Sequence, residues 1–145
     1  MPGRFPFTKL EKYPHLGPHD VKVWEHFLKL FPDYFASVDY DVWVGEGAKQ
    51  PEEIEQNEYT KNFEDLTKFR IDVVGYAKDG TIYCIELRPH AGLSAFGSTL
   101  GCTKLLAKMY PNTPVLPMII TDIAQSDLTE ICFDYGVELV ELSYT

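Results

Sequence analysis

Two acidic residues, Asp72 and Glu86, lie inside apolar stretches that otherwise have the pattern of β-strands. The stretches cover residues 69–76 and 81–88, and residues 77–80 between them end in an Asp-Gly pair, which is typical of a hairpin turn. Ionised carboxylates are rarely placed among apolar residues without a partner. The sequence therefore predicts a β-hairpin in which each strand carries a negative charge that needs a counter-charge.

The length of the turn decides whether the two acids meet. A two-residue loop would place Asp72 opposite Leu87 and send the two carboxylates to opposite faces of the sheet. A three-residue loop that ends at a left-handed Gly80 places Asp72 opposite Glu86, with their Cβ atoms about 5 Å apart. We predict this second register. Arg88 would then share a face with Glu86, so that two acids and one cation converge.

Length and composition indicate one globular domain with a sizeable core. The chain has 145 residues, of which 45% are hydrophobic. No apolar run approaches the roughly 18 residues needed to cross a bilayer, and residues 1–7 lack the apolar segment of a signal peptide. We therefore expect a cytoplasmic or virion-internal protein with no membrane partner.

Buried thiols, and no disulfide or zinc site, are expected from the spacing and apolar surroundings of Cys84, Cys102 and Cys132.

The charge of the chain bears on its partners. A formal net charge of −9 argues against a protein that holds nucleic acid over a broad surface, because phosphate contacts need lysine and arginine. Much of the imbalance lies in residues 46–65, where seven acids face Lys49 and Lys61 for a local net charge of −5. This acidic loop is either a solvated excursion or a mobile flap or partner-docking segment beside the site.

Hydrophobic periodicity and chain-breaking residues predict the order of elements. Residues 1–17 are rich in proline and glycine and indicate an extended arm, which docks on its own domain or on a neighbour. The connections between later strands predict parallel pairing, whereas the hairpin predicts antiparallel pairing, so we expect a mixed sheet flanked by helices. The predicted helices are 18–31, 92–110 and 126–136, and the predicted strands are 36–44, 69–76, 81–88, 115–120 and 137–142. The aromatic residues expected in the core are Trp24, Phe27, Phe31, Phe63 and Phe69.

This order of elements, with an Asp on the second core strand and Glu-x-Arg on the third, resembles the PD-(D/E)xK nuclease superfamily, whose core is αβββαβ. The resemblance covers about residues 18–120, and residues 136–142 would add a strand. It implies an α+β, restriction-endonuclease-like fold within residues 18–145. It also implies metal-dependent hydrolysis of phosphodiester bonds in DNA.

The resemblance assigns roles to individual residues. In the superfamily the Asp, the Glu and the carbonyl of the residue after the Glu bind Mg²⁺ or Mn²⁺, which implies Asp72, Glu86 and Leu87 as ligands here. A Glu on the first helix contributes in many members, and Glu25 is the candidate. Paired carboxylates and one carbonyl suit a hard cation and leave positions for water and phosphate. Without a metal, one acid of the pair should have a raised pKa.

The sequence departs from the superfamily at its motif lysine, which stands here as Arg88. Arginine keeps the positive charge near a transferring phosphoryl group but cannot act as a base at neutral pH. Lys104, on the following helix, could take over the lysine's role, or it is a solvated helix residue. His90 lies in the link after the third strand and is either a solvated group or a proton shuttle at the same edge.

A second interpretation needs no metal. Asp72 or Glu86 could form a salt bridge with Arg88 or Arg70 that only holds the sheet register. The chain would then be a catalytically silent nuclease fold that serves as a binding or structural module, for example a phage head-completion or connector component. Its partners would be other proteins or further copies bound through the arm. The acidic charge and the arginine favour this interpretation, whereas the acids on the strands favour a nuclease.

Overall fold

A computed structural model of the chain describes residues 2–48 and 57–144. The first half contains β1 (Phe5–Pro6), α1 (Pro18–Leu30), β2 (Ser37–Val44), α2 (Glu58–Leu66) and β3 (Phe69–Tyr76). The second half contains β4 (Ile82–Ala91), α3 (Leu93–Ala107), β5 (Val115–Ala124), α4 (Leu128–Asp134), β6 (Glu138–Glu141) and a final 3₁₀ turn (Leu142–Tyr144). The helices and strands predicted from periodicity are all present, with ends that differ by a few residues.

Within the described residues, six strands form one sheet in the order β1-β2-β3-β4-β5-β6. The strands from β1 to β4 pair antiparallel, and β4, β5 and β6 pair parallel. Parallel neighbours need a crossover, and α3 and α4 provide the two crossovers. The prediction of an α+β fold with a mixed sheet is therefore confirmed.

The hairpin between β3 and β4 has the predicted register. Val73 lies opposite Ile85, and the same register continued by one residue places Asp72 opposite Glu86. The turn is closed by two hydrogen bonds: Ala77 N–H donates to the Thr81 carbonyl, and Gly80 N–H donates to the Ala77 carbonyl. Gly80 has a φ of +94°, the left-handed conformation that glycine adopts without steric cost. The Asp-Gly turn therefore places both acids on one face.

The two faces of the sheet are covered by different helices. α1 packs over the face that carries Ile85 and Leu87, and Trp24 of α1 belongs to the same buried cluster. α3 packs over the opposite face, which carries Val74 and Cys84. Because side chains alternate along a strand, Glu86 lies on the same face of β4 as Cys84.

The N-terminal arm docks on its own domain. β1 pairs with β2, and the side chains of Phe7 and Tyr13 are buried against α1 and the sheet. Gly3 lies so close to β2 that a Cβ atom there would come within 2.6 Å of the Val38 carbonyl oxygen. Of the two predicted docking sites for the arm, the described contacts are those to the same domain.

The acidic region 46–65 is a loop only in part. α2 occupies its second half, and residues 49–56 lie outside the described residues. Phe69 was expected in the core but is 62% exposed, whereas Trp24 and Phe27 are buried, Phe31 packs partly buried against them, and the side chain of Phe63 is not described. The expectation of buried, unbridged thiols is confirmed for Cys84, Cys102 and Cys132. None of the described helices combines the length and the apolar character that crossing a bilayer requires.

Candidate active site where β3 and β4 separate

The two acids lie at the point where β3 and β4 part from each other. The ladder between them runs from Tyr76 and Ile82 to Val73 and Ile85. Beyond that point β3 continues along β2, and β4 continues along β5. The separation leaves a notch in the sheet, and the main-chain groups at its edge take side chains as hydrogen-bonding partners.

Four residues form this notch, which we call the carboxylate corner: Asp72, Glu86, Leu87 and Arg88. The Leu87 N–H donates to Asp72 Oδ2 at 3.0 Å. Arg88 Nη1 donates to the Leu87 carbonyl at 2.9 Å, and it lies 2.8 Å from Glu86 Oε2 and 3.5 Å from Asp72 Oδ2. Three oxygen atoms from three residues thus surround one guanidinium nitrogen.

Burial governs the protonation of this corner. It raises the pKa of Glu86 to about 7; the charge of Asp72 adds to this effect, and Arg88 partly opposes it. Burial also raises the pKa of Asp72, against the opposing effects of the Leu87 N–H and the Arg88 charge. The prediction that one acid of the pair has a raised pKa is confirmed. One arginine therefore neutralises only part of the negative charge that the corner carries when both acids are ionised.

The first helix contributes Asp20 to this group of charges. Burial raises the pKa of Asp20, and the charge of Arg88 partly opposes this effect. The charge of Asp20 also raises the pKa of Asp72 and of Glu86. The helical period carried a signal for this residue, because Asp20 lies four positions before the buried Trp24 and so on the side of α1 that faces the sheet.

Glu25, the acid expected from that helix, has its described contacts elsewhere. Its carboxylate accepts a hydrogen bond from the Tyr13 hydroxyl at 3.0 Å and lies 3.9 Å from Lys9 Nζ. It also lines a groove of about 660 Å³ between the arm and α1. These contacts tie Glu25 to the arm, and no described contact joins it to the acid pair.

The remaining candidates stand apart from the corner. Lys104 and His90 are exposed, and no described contact joins either of them to the two acids. Arg70 pairs with Asp41 through two hydrogen bonds of 2.8 Å, so it is not the partner of Asp72 or Glu86. Arg88 is therefore the arginine that contacts Asp72 and Glu86.

The oxygen donors of the carboxylate corner are of the kind that binds a hard cation. Two carboxylates and one carbonyl are the oxygen ligands that Mg²⁺ and Mn²⁺ take, and the Arg88 nitrogen stands in for a cation at the point where they meet. Among the described residues, no cluster of three or more His, Cys, Asp or Glu side chains could hold a metal. A metal here would therefore depend on the Leu87 carbonyl and leave further positions to water or phosphate.

Comparisons with known proteins support the fold. No protein-family model and no curated protein matches the sequence. EndoMS, solved in a complex with double-stranded DNA, has a TM-score of 0.52 at 13% identity over 92% of this chain and 48% of that chain. AF1548, a protein of unknown function, has a TM-score of 0.54 at 19% identity over 88% of this chain and 59% of that chain. This chain thus spans about half to three fifths of the length of these two proteins, and its α+β fold is similar to that of nuclease-fold proteins.

Proposed function

We propose that this protein hydrolyses phosphodiester bonds in DNA with Mg²⁺ or Mn²⁺ held by Asp72, Glu86 and the Leu87 carbonyl. The observation that carries the proposal is the convergence of these three oxygen donors on one positive nitrogen. A bound metal would supply polarisation of a phosphoryl oxygen and a more acidic water molecule.

The other residues of the corner would act through charge. The Arg88 guanidinium can bind phosphate oxygens in a bidentate manner and stabilise negative charge on the phosphoryl group, but it cannot act as a base. Asp20 adds a further carboxylate from α1. Glu25 and Lys104, which the resemblance offered as candidates, have no part in this proposal because their described surroundings keep them apart from the acids.

The distribution of charge supports an approach of DNA from the α1 side. Residues 1–30 contain five lysines and arginines and three acids, a net charge of +2, whereas residues 31–145 carry −11. Exposed residues on α1 that recur at spacings of three and four form one polar stripe that contains two lysines: His19, Lys22, His26 and Lys29. The stripe begins at His19, which precedes Asp20 in the chain, and its lysines are the kind of residue that contacts a phosphate backbone.

A plasmid-nicking assay in millimolar Mg²⁺ or Mn²⁺ tests this function. We expect the wild type to nick supercoiled DNA and Asp72→Asn to lower the rate by at least about 100-fold, the upper range for loss of even an outer partner of a metal site. Asp41→Asn is the matched control, since Asp41 lies on the neighbouring strand and pairs with Arg70 outside the corner. Equal rates for wild type and Asp72→Asn would refute the proposal.

A second candidate function is a catalytically silent module, such as a structural component of a phage particle. The contacts of Arg88 with Asp72 and Glu86 favour this second function. The two acids already have a counter-charge, and its role could be only to hold the strands together. A wild type that is folded and does not nick DNA with either metal would favour this candidate over the nuclease.

A further inference from the structure

Arg88 lies at the position that a metal ion would need. Its Nη1 atom is within 3.5 Å of Asp72 Oδ2, Glu86 Oε2 and the Leu87 carbonyl oxygen, the three atoms available to a cation. A guanidinium and a divalent ion repel each other and need the same lone pairs. They therefore cannot occupy this point together.

The two sides of this contact differ in their freedom to move. The Glu86 side chain is 4% exposed, whereas the Arg88 side chain is 32% exposed. The charge of Arg88 also acts on Asp20, which is not one of the three donors. The guanidinium can thus leave toward solvent, while the more deeply buried Glu86 stays in place on its strand.

We propose that Arg88 is an internal cation that competes with the divalent metal, so that metal binds only when the guanidinium leaves the carboxylate corner. The inference rests on the metal site of the proposed function, and it concerns the control of that site. Replacement of the superfamily lysine by arginine then has a specific consequence: the longer, planar group reaches back to the ligands and lowers the affinity of the free protein for metal.

Calorimetric titration with Mn²⁺ at neutral pH tests the competition directly. The variants are Arg88→Gln, which keeps hydrogen-bond donors without the charge, and Arg88→Met, which keeps the length without either. We expect both to bind Mn²⁺ at least about tenfold more tightly than the wild type, since a like charge has been removed from the site. Arg70→Gln is the matched control, and its Mn²⁺ affinity should equal that of the wild type.

Thermal unfolding gives a second readout that does not depend on catalysis. A ligand that binds only the folded state stabilises it by RT times the logarithm of one plus the ratio of free ligand to Kd, and so raises the unfolding midpoint. At equal Mn²⁺ concentration the midpoint should therefore rise more for Arg88→Gln and Arg88→Met than for the wild type. If these variants are poorly folded without metal, Mn²⁺ should restore their circular dichroism.

The outcomes separate this inference from the proposed function. Equal or weaker Mn²⁺ affinity in both Arg88 variants would overturn the competition, even if the wild type nicks DNA. Tighter binding in the variants would support the competition, even if the wild type is inactive. Variants that neither bind Mn²⁺ nor respond to it in unfolding would overturn the inference, and a failure of the wild type to nick would separately refute the function.

Discussion

The groupings of Arg70 and of Arg88 with carboxylates lie on adjacent strands, and they differ in what surrounds them. Arg70 pairs with Asp41 through two hydrogen bonds of 2.8 Å and lies over the ring of Trp43, at the surface. Arg88 meets two acids and a main-chain carbonyl, and Glu86 there is 4% exposed. One cation per acid suffices at the surface, whereas the corner has more negative charge than its arginine neutralises.

Backbone geometry contributes to this difference. Asp41 lies opposite Asp72 in the register of β2 and β3, so a third acid could have joined the corner. Its φ of +54° interrupts the regular strand, and its carboxylate pairs with Arg70 instead. Asp tolerates this left-handed conformation better than most residues. Strand register brings acids to one level of a sheet, but the local backbone conformation decides which of their side chains meet.

The largest difference should appear when each arginine loses its charge. Arg88→Met should lower the free energy of unfolding by about 4 kcal/mol at about pH 8, because it leaves two acids without their counter-charge. Arg70→Met should have a much smaller effect, since water can solvate Asp41. Urea denaturation of both variants measures the difference. Losses of equal size would contradict the distinction between the two groupings.

The two groupings should also respond to pH with opposite sign. The folded-state pKa of Glu86 is about 7, above its ordinary value, so Glu86 stabilises the fold below about pH 4.5 and this stability is lost as the pH rises through 7. The loss amounts to roughly 3 kcal/mol. The pKa of Asp41 is lowered by its hydrogen bonds from Arg70, so its contribution is present at neutral pH and is lost in acid.

The free energy of unfolding, measured between about pH 3 and pH 8, tests these opposite pH dependences of Glu86 and Asp41. Glu86→Gln should remove most of the loss between about pH 5 and pH 8, and Asp41→Asn should leave that loss in place. Below about pH 4, Asp41→Asn should instead reduce the change of the unfolding free energy with pH. A Glu86→Gln profile parallel to that of the wild type would show that Glu86 is not the buried acid of the corner.

The smallest effect concerns the two acids of α1. Asp20→Asn should lower the pKa of Glu86 by less than about one unit, because it removes a nearby negative charge. Glu25→Gln should leave the pKa of Glu86 unchanged, since Glu25 contacts the arm. Carboxyl carbon shifts followed by NMR during a pH titration measure both. A shift caused by Glu25→Gln alone would restore Glu25 as the acid near the corner.

Local sequence signals predicted the hairpin well. The bounds of β3 and the three-residue turn agree with the structure, because alternation, β-branched residues and an Asp-Gly pair all act within a few residues of each other. The sequence predicts no helix at α2, because the acids around it are typical of a solvated loop. Asn57, whose side chain accepts the Tyr59 N–H as a helix start does, was the available signal. β4 continues beyond Pro89 because β5 pairs with it on the parallel side.

By itself the sequence determined that two acids and an arginine share one face of a hairpin, because the period of a strand and the turn length are local properties. Only the tertiary structure decided that β3 and β4 part at those acids and that the Leu87 carbonyl completes the donor set. It also decided that the charge of Asp20 acts on Glu86, whereas Glu25 contacts the arm. These outcomes depend on how β2, β5 and α1 pack against the hairpin. Such contacts join residues far apart in the chain, and a pattern read over a few neighbouring positions contains no information about them.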